Sequence, residues 1–593
     1  MTKLKNLLLA LACAQLFAAG AYAQDAVIPR APEVSTGYTE KTAVVTKKFM
    51  VAAANPLASE AAYKILKQGG SAVDAAIATQ LVLTLVEPQS SGIGGGAFML
   101  HFDGKDVQAY DGRETAPAAA TEALFQDAAG KPLGYQDAVV GGRSVGAPGV
   151  LRMLEMAHKA HGKLPWAKLF QPAIDLATKG FAVTPRMHDS LKGIRFLKTD
   201  PTSLAYFHDK DGNPWPVGHI LKNPELARTL SEIAKGGADA FYKGRIAQAI
   251  VAKVQGHPTN PGGLSLQDLA GYQAKLRKPV CMDYKQVSVC GMPPPSSGGI
   301  TVAQILGILE NTTIASEKPV DGQPTAQAIH LFTEAGRLAY ADRNRYIADT
   351  DFVPLPARGI DALIDKGYMM QRAELIGERS MGTAKAGVAT TLQAAAWGTD
   401  KAPEYNSTSH YSIVDARGNA VAMTTSVEDG FGSRQMVAGF MLNNQLTDFS
   451  AVGRDETGPV ANRVQPGKRP RSAMSPTLVF DKASKKLLLS TGSPGGSAII
   501  NYVAKVLVGT LDWGLNVQQA ISLPNFGSRN GPTELEAGRI PPAVAEALKA
   551  RGHAVRVGEQ NSGLQGIQRV NIHGTEMWLG GADPRREGAV RGD

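Results

Sequence analysis

Three hydroxyl residues in a row, Ser407-Thr408-Ser409, open the run His410-Tyr411-Ser412-Ile413-Val414. A turn-forming stretch, Asp415-Ala416-Arg417-Gly418-Asn419, then sends the chain back as Ala420-Val421-Ala422-Met423-Thr424. This pattern predicts a β-hairpin with a hydroxyl at its entry. A backbone cut between Ser407 and Thr408 would give Thr408 a free α-amine, whose unperturbed pKa is roughly 7.7–8.0. That amine can take the proton of the residue's own hydroxyl, and a Thr paired with its N-terminal amine is a nucleophile–base unit. The chemistry so predicted is acyl transfer by a precursor that first cuts itself. Three hydroxyls alone are an ordinary surface run, so the case rests on their surroundings.

The elements around the hairpin are mostly helical. Asn55-Pro56 predicts a helix start, because Asn caps and Pro suits the first turn. Ala58, Ala61, Ala62, Ile65 and Leu66 give its apolar stripe, and Gly69 ends it. Residues 72–86 predict a second, almost wholly apolar helix, hence a buried one. Helical patterns follow over 150–161, 166–179, 224–235, 246–254 and 326–341. Strands are expected at 97–101, 288–290, 410–414, 420–426, 477–480 and 486–491. The run Gly92-Ile93-Gly94-Gly95-Gly96 follows a helix and precedes a strand, the reverse of the dinucleotide-binding order. Close packing of backbone layers explains it better.

Residues 1–23 have the form of a secretory signal: Lys3 and Lys5, an apolar centre, then Ala21-Tyr22-Ala23. The apolar run is too short to span a bilayer, so the expectation is an exported, periplasmic or secreted product. The net charge of +9 is dispersed along 593 residues, which argues against nucleic-acid binding. Beyond the signal only Cys281 and Cys290 remain, either as a short-loop disulfide or as two buried thiols. No CxxC or HExxH occurs and the histidines are scattered, so neither a metal nor another cofactor is expected.

An ordered set of motifs points to a family. It comprises Gly69-Gly70-Ser71-Ala72-Val73-Asp74-Ala75-Ala76, Ser91 to Met99, Asp111-Gly112-Arg113-Glu114-Thr115-Ala116-Pro117 and Pro293 to Gly299. After the hairpin come Leu442 to Phe449, Lys468-Arg469-Pro470, Met474-Ser475-Pro476-Thr477, Thr491 to Ser497 and Asp583-Pro584-Arg585. The chain thereby resembles the γ-glutamyltranspeptidases, members of the N-terminal-nucleophile hydrolases. The resemblance implies an α+β fold, a four-layer αββα sandwich, cut into a large subunit (24–407) and a small catalytic subunit (408–593) that remain one body. It implies a γ-glutamyltransferase and glutathione hydrolase that forms a γ-glutamyl-Thr408 ester and passes the acyl group to water or an amine acceptor.

Residue by residue, the resemblance assigns Thr408 as nucleophile and Ser426 as the hydroxyl bonded to it. Gly495 and Gly496 are the oxyanion donors. Arg113 grips the substrate α-carboxylate with help from Ser472. Asp448 binds its α-ammonium, with Gln445 beside it. Three departures stand out. The second serine of the carboxylate pair is Ala473. A position often Asn is Glu428. The segment 450–467, a lid in some members, has no aromatic residue, which favours hydrolysis over transfer. An alternative keeps the mechanism but changes the substrate, a cephalosporin or glutaryl acylase. The acids at 448 and 428 favour a substrate bearing an ammonium, while Ala473 leans the other way. A catalytically dead binding protein is disfavoured because Thr408, Gly495 and Gly496 are intact.

Overall fold

The structure is a computed structural model that describes residues 37–356, 359–388 and 397–593. The expected signal, 1–23, lies outside these residues. Two seven-stranded sheets form the centre. The first runs, edge to edge, Ala589–Gly592, Met50–Ala53, Ser407–Val414, Ala420–Glu428, Gly96–Phe102, Val107–Gly112 and Lys275–Arg277. The second runs Val44–Thr46, Thr575–Ala582, Gln565–Ile572, Leu487–Gly492, Thr477–Asp481, Val287–Gly291 and Val280–Tyr284. Every pairing within these two sheets is antiparallel.

Side-chain alternation divides the core. Tyr411, Ile413, Val421 and Met423 join the apolar cluster formed with helices Pro56–Lys67 and Ala72–Val86. Met50, Ala52, Phe98, Leu100 and Ala422 join Leu478, Leu489 and Ile567 of the second sheet, whose other face packs on helices Gly298–Leu309 and Ile499–Leu511. Helices therefore cover both outer faces, giving the four αββα layers expected.

Local sequence explains the helix limits. The Asn55 side chain accepts from the Leu57 amide and Pro56 opens the helix. Ser71 and Asp74 form a reciprocal capping box before Ala72–Val86, all fifteen residues of which are buried. The helix expected over 326–341 continues to Tyr346. In the Gly92–Gly96 stretch, a Cβ on Gly94 would lie 2.1 Å from the Met441 carbonyl oxygen, and one on Gly95 2.1 Å from that of Ser426. These glycines let backbone layers touch. Cys281 and Cys290 sit directly opposite one another on adjacent strands and are joined as a disulfide. Among the described residues no helix is long and apolar enough to cross a membrane.

Candidate active site

The hairpin turn is held by Asp415, whose Oδ1 accepts from the amides of Arg417 (2.9 Å) and Asn419 (3.1 Å). Because Tyr411 and Ile413 take the helix-facing side, alternation turns Thr408 towards the second sheet. Thr408 lies opposite Ser426 and Ser407 opposite Glu428, so the ladder skips Val427. Such a bulge re-aims the groups beside it. Here the Ser426 hydroxyl donates to the Ser407 carbonyl oxygen (2.7 Å) and accepts from Thr408 Oγ1 (3.3 Å) and from the Glu428 amide (2.8 Å). One hydroxyl thus joins the candidate nucleophile to the carbonyl of the peptide bond before it.

Gly495 and Gly496 follow the strand Leu487–Gly492 and have φ of 136° and 52°, conformations L side chains rarely adopt. A Cβ on Gly496 would come within 1.7 Å of Asn406 Oδ1 and 2.9 Å of the Tyr405 carbonyl. The segment just before Ser407 therefore packs against the candidate oxyanion donors in the uncut chain.

Across the pocket stands a charged group. Arg113 follows the strand Val107–Gly112 and hydrogen-bonds the Asp448 carboxylate through Nη2, with further bonds to the carbonyls of Pro470 (3.1 Å) and Arg471 (2.8 Å). Gln445 Nε2 donates to Asp448 Oδ2 (3.0 Å), and Asn444 Nδ2 donates to Glu428 Oε2 (2.8 Å). Burial, then the neighbouring Asp448 and Asp429, push the Glu428 carboxyl well above its ordinary value, and a hydrogen bond to Asp448 adds to this. Burial raises Asp448 as well, against the opposing pull of Arg113. Two carboxyls this close in a buried site cannot both ionise at ordinary cost, which favours the protonated form of Glu428. Arg113 Nη1, Gln445 Oε1 and Glu428 Oε1 are buried and make no hydrogen bond within the protein. Buried polar atoms left so cost free energy, and here they wait on a partner.

Arg113, Thr408, Ser426, Glu428, Gln445, Asp448, Ser472 and Gly496 line a single pocket. Gly495 is the residue behind Gly496. Ser472 Oγ accepts from the Met474 amide (3.1 Å), and Ala473, also lining the pocket, brings no hydroxyl beside it. The neighbouring acids in sequence, Asp111 and Glu114, do not supply the main side-chain contact of Arg113. Asp111 pairs with Arg277 (2.7 Å) and Glu114 stands 3.9 Å from Arg113 Nη1, whereas Asp448 takes the bond. Glu114 itself is wholly buried with neither oxygen bonded, and burial pushes its carboxyl up to about 8.

Sequence reading missed Glu404 and Tyr405, which also line the pocket, and Arg343 and Arg471, which hold Glu404. The available signal was an acid four residues before Thr408 and an extra arginine after Lys468-Arg469-Pro470. The segment 450–467 forms a small hairpin, Arg454–Asp455 with Gly458–Pro459. Arg463 of this segment stacks over the Trp397 ring at 5.8 Å. Elsewhere, His330, Glu334 and His553 bring ligand-type atoms together. His330 bonds His553 (2.8 Å) and the Gly377 carbonyl (2.8 Å), and His553 bonds Thr533 (2.7 Å). Glu334 accepts from Arg337, Ser380 and the Met381 amide. A cation there would displace this set beside an arginine.

Comparison with known proteins agrees with the geometry. Residues 58–592 match the family model described as γ-glutamyltranspeptidase. The glutathione hydrolase proenzyme of Escherichia coli (strain K12) is 39% identical over 578 residues, covering 94% of each chain. The structure of a cephalosporin acylase from Bacillus halodurans superposes with a TM-score of 0.80 at 28% identity, covering 94% of this chain and 98% of that one. That of Helicobacter pylori γ-glutamyltranspeptidase gives 0.51 at 33% identity, covering 60% of this chain and 97% of that one. A family model spanning nearly the whole described chain and a relative of this identity and coverage make the conclusion plain: the chain belongs to the γ-glutamyltranspeptidase family.

Proposed function

We propose that this chain is a self-cleaving γ-glutamyl hydrolase and transferase with Thr408 as its N-terminal nucleophile, glutathione being the expected donor. The observation that supports this best is the chain of hydroxyls from Thr408 through Ser426 to the Ser407 carbonyl. In the first step Thr408 Oγ bonds to the Ser407 carbonyl carbon. Its proton passes to Ser426, whose own proton passes to the developing oxyanion. The C–N bond to Thr408 then breaks and the nitrogen takes the hydroxyl proton, leaving an ester. Water hydrolyses that ester, giving the Ser407 carboxylate at the end of a large subunit 24–407 and a free α-amine on Thr408 at the head of a small subunit 408–593.

In the mature enzyme the Thr408 amine serves as base for Oγ, and the Gly495 and Gly496 amides stabilise the oxyanion, a role worth on the order of 10²–10³ in rate per donor. A γ-glutamyl group suits the far wall. Its α-carboxylate meets Arg113 and Ser472, its α-ammonium meets Asp448, Glu428 and Gln445 Oε1. Binding an ammonium favours loss of the Glu428 proton. The acyl group leaves Thr408 to water or to an amine. The residues at 1–23 support export as the setting.

The acylase reading rests on Ala473 and on the likeness to the Bacillus halodurans structure. A substrate lacking an ammonium would leave two buried acids facing it, so the γ-glutamyl reading is preferred. The test pairs intact-mass analysis of wild type and Thr408→Ala with amide hydrolysis by the wild type. Wild type should divide before Thr408 and the variant stay whole. γ-Glutamyl anilides should turn over at least tenfold faster than glutaryl ones. A whole wild-type chain that is folded would remove the proposed nucleophile, and equal or reversed rates would favour the acylase.

A further inference from the structure

Four residues before Thr408, Glu404 is buried in a site of its own. Its two carboxylate oxygens accept from Arg343 Nη2 at 2.5 and 2.7 Å, and Oε1 accepts from Arg471 Nη2 at 3.0 Å and Nε at 3.3 Å. The arginines are themselves fixed. Arg343 donates to Ser297 Oγ (2.8 Å) and to Asn344 Oδ1 (2.9 Å), and Arg471 to the Arg343 carbonyl (3.2 Å), with Asp400 2.9 Å away. Burial works against the Glu404 charge, but Arg343 and Arg471 outweigh it and hold the carboxyl below its usual value. The backbone at Glu404 is left-handed, φ 45°, a conformation that persists in a non-glycine residue only where its surroundings impose it.

From this fixed point the chain has three residues to reach the bond to be cut. Tyr405 packs edge-on against Tyr135 with ring centres 5.2 Å apart, and Asn406 lies on Gly496. The Ser407 hydroxyl bonds the Gln89 carbonyl, and its own carbonyl meets Ser426. The bond is thus held between two anchors, the Glu404 ion cluster upstream and the hairpin downstream, with the skipped Val427 at the join.

We infer that Glu404, clamped by Arg343 and Arg471, is a positioning residue for self-cleavage: it holds the Ser407 carbonyl on the Ser426 hydroxyl and within reach of Thr408. The inference rests on cleavage occurring before Thr408.

The test follows conversion itself. Freshly purified uncut wild type, Glu404→Gln and Glu404→Asp are incubated at a temperature where thermal melts show all three folded. Conversion to two pieces is followed by denaturing gel and intact mass. We expect Glu404→Gln to convert at least tenfold more slowly and Glu404→Asp, which keeps the charge, to recover part of the rate. Conversion of Glu404→Gln at the wild-type rate would overturn the inference, as would equal slowing of the two variants, which marks a merely structural role. A wild type that is never cut before Thr408 would instead overturn the nucleophile assignment itself.

Discussion

Two buried arginine centres lie within this pocket's reach, and they are built differently. Around Arg343 and Arg471 each carboxylate oxygen of Glu404 is bonded and every guanidinium nitrogen of the two arginines has a named partner. Around Arg113 the set is incomplete. Arg113 Nη1, Gln445 Oε1, Glu428 Oε1 and both Glu114 oxygens make no hydrogen bond within the protein. A complete set holds the fold; an incomplete one in a pocket is prepared for a ligand that completes it. Burial does not distinguish them, since Arg113, Arg343 and Arg471 are all nearly inaccessible. The state of their hydrogen bonds does.

That contrast can be broken most directly at the arginines. Arg113→Gln should lower kcat/KM for a γ-glutamyl anilide by on the order of 10²–10³, as losing a buried charge-assisted contact costs about 2–5 kcal/mol. Arg471→Gln should show first in stability, because removing one member of a completed buried pair destabilises by about 3–5 kcal/mol; a calorimetric melt with unchanged Tm would erase the distinction. Next in size, Asp448→Asn should shift the ratio of γ-glutamyl to glutaryl hydrolysis by at least tenfold towards glutaryl. An unchanged ratio would mean that Asp448 does not read the ammonium. Ala473→Ser should restore a donor to the carboxylate and raise kcat/KM by about tenfold, somewhat below what a charged hydrogen bond of ~1.5–3 kcal/mol allows.

The smallest effect concerns Glu114. Its folded carboxyl titrates at about 8 because it is buried, while an unfolded Glu ionises near 4.3. The folded state therefore holds an extra proton between those values. Its contribution to stability is full below about pH 4 and is lost as pH rises through 8. Glu114→Gln should gain a few degrees in Tm over wild type at pH 8 and nothing at pH 4. Parallel Tm–pH curves for the two proteins would contradict the assignment.

Much of the framework was legible because its signals are local. The Ser71/Asp74 box and the Asn55-Pro56 start set helix ends within one turn of chain, and the Asp415–Asn419 turn announces the nucleophile hairpin. The site residues came from motif resemblance, and the pocket gathers them. Their mutual state was not legible. Arg113 closes on Asp448 across 335 positions, and Arg343 on Glu404 across 61; no periodicity records such pairings. Nor could sequence decide between thiols and disulfide at Cys281 and Cys290, since that depends on direct opposition in a ladder. The departure at 428 puts a second buried acid beside Asp448, which raises the cost of ionising it.

The order of strands in the two sheets carries a consequence for the cut molecule. Strands from before and after residue 408 adjoin at five ladders: Met50–Ala53 against both Ala589–Gly592 and Ser407–Val414, Gly96–Phe102 against Ala420–Glu428, Val44–Thr46 against Thr575–Ala582, and Val287–Gly291 against Thr477–Asp481. A cut before Thr408 would leave two polypeptides interleaved like clasped fingers. Neither could withdraw without exposing unpaired strand edges in both layers, so such a cut would free an amine without freeing a fragment.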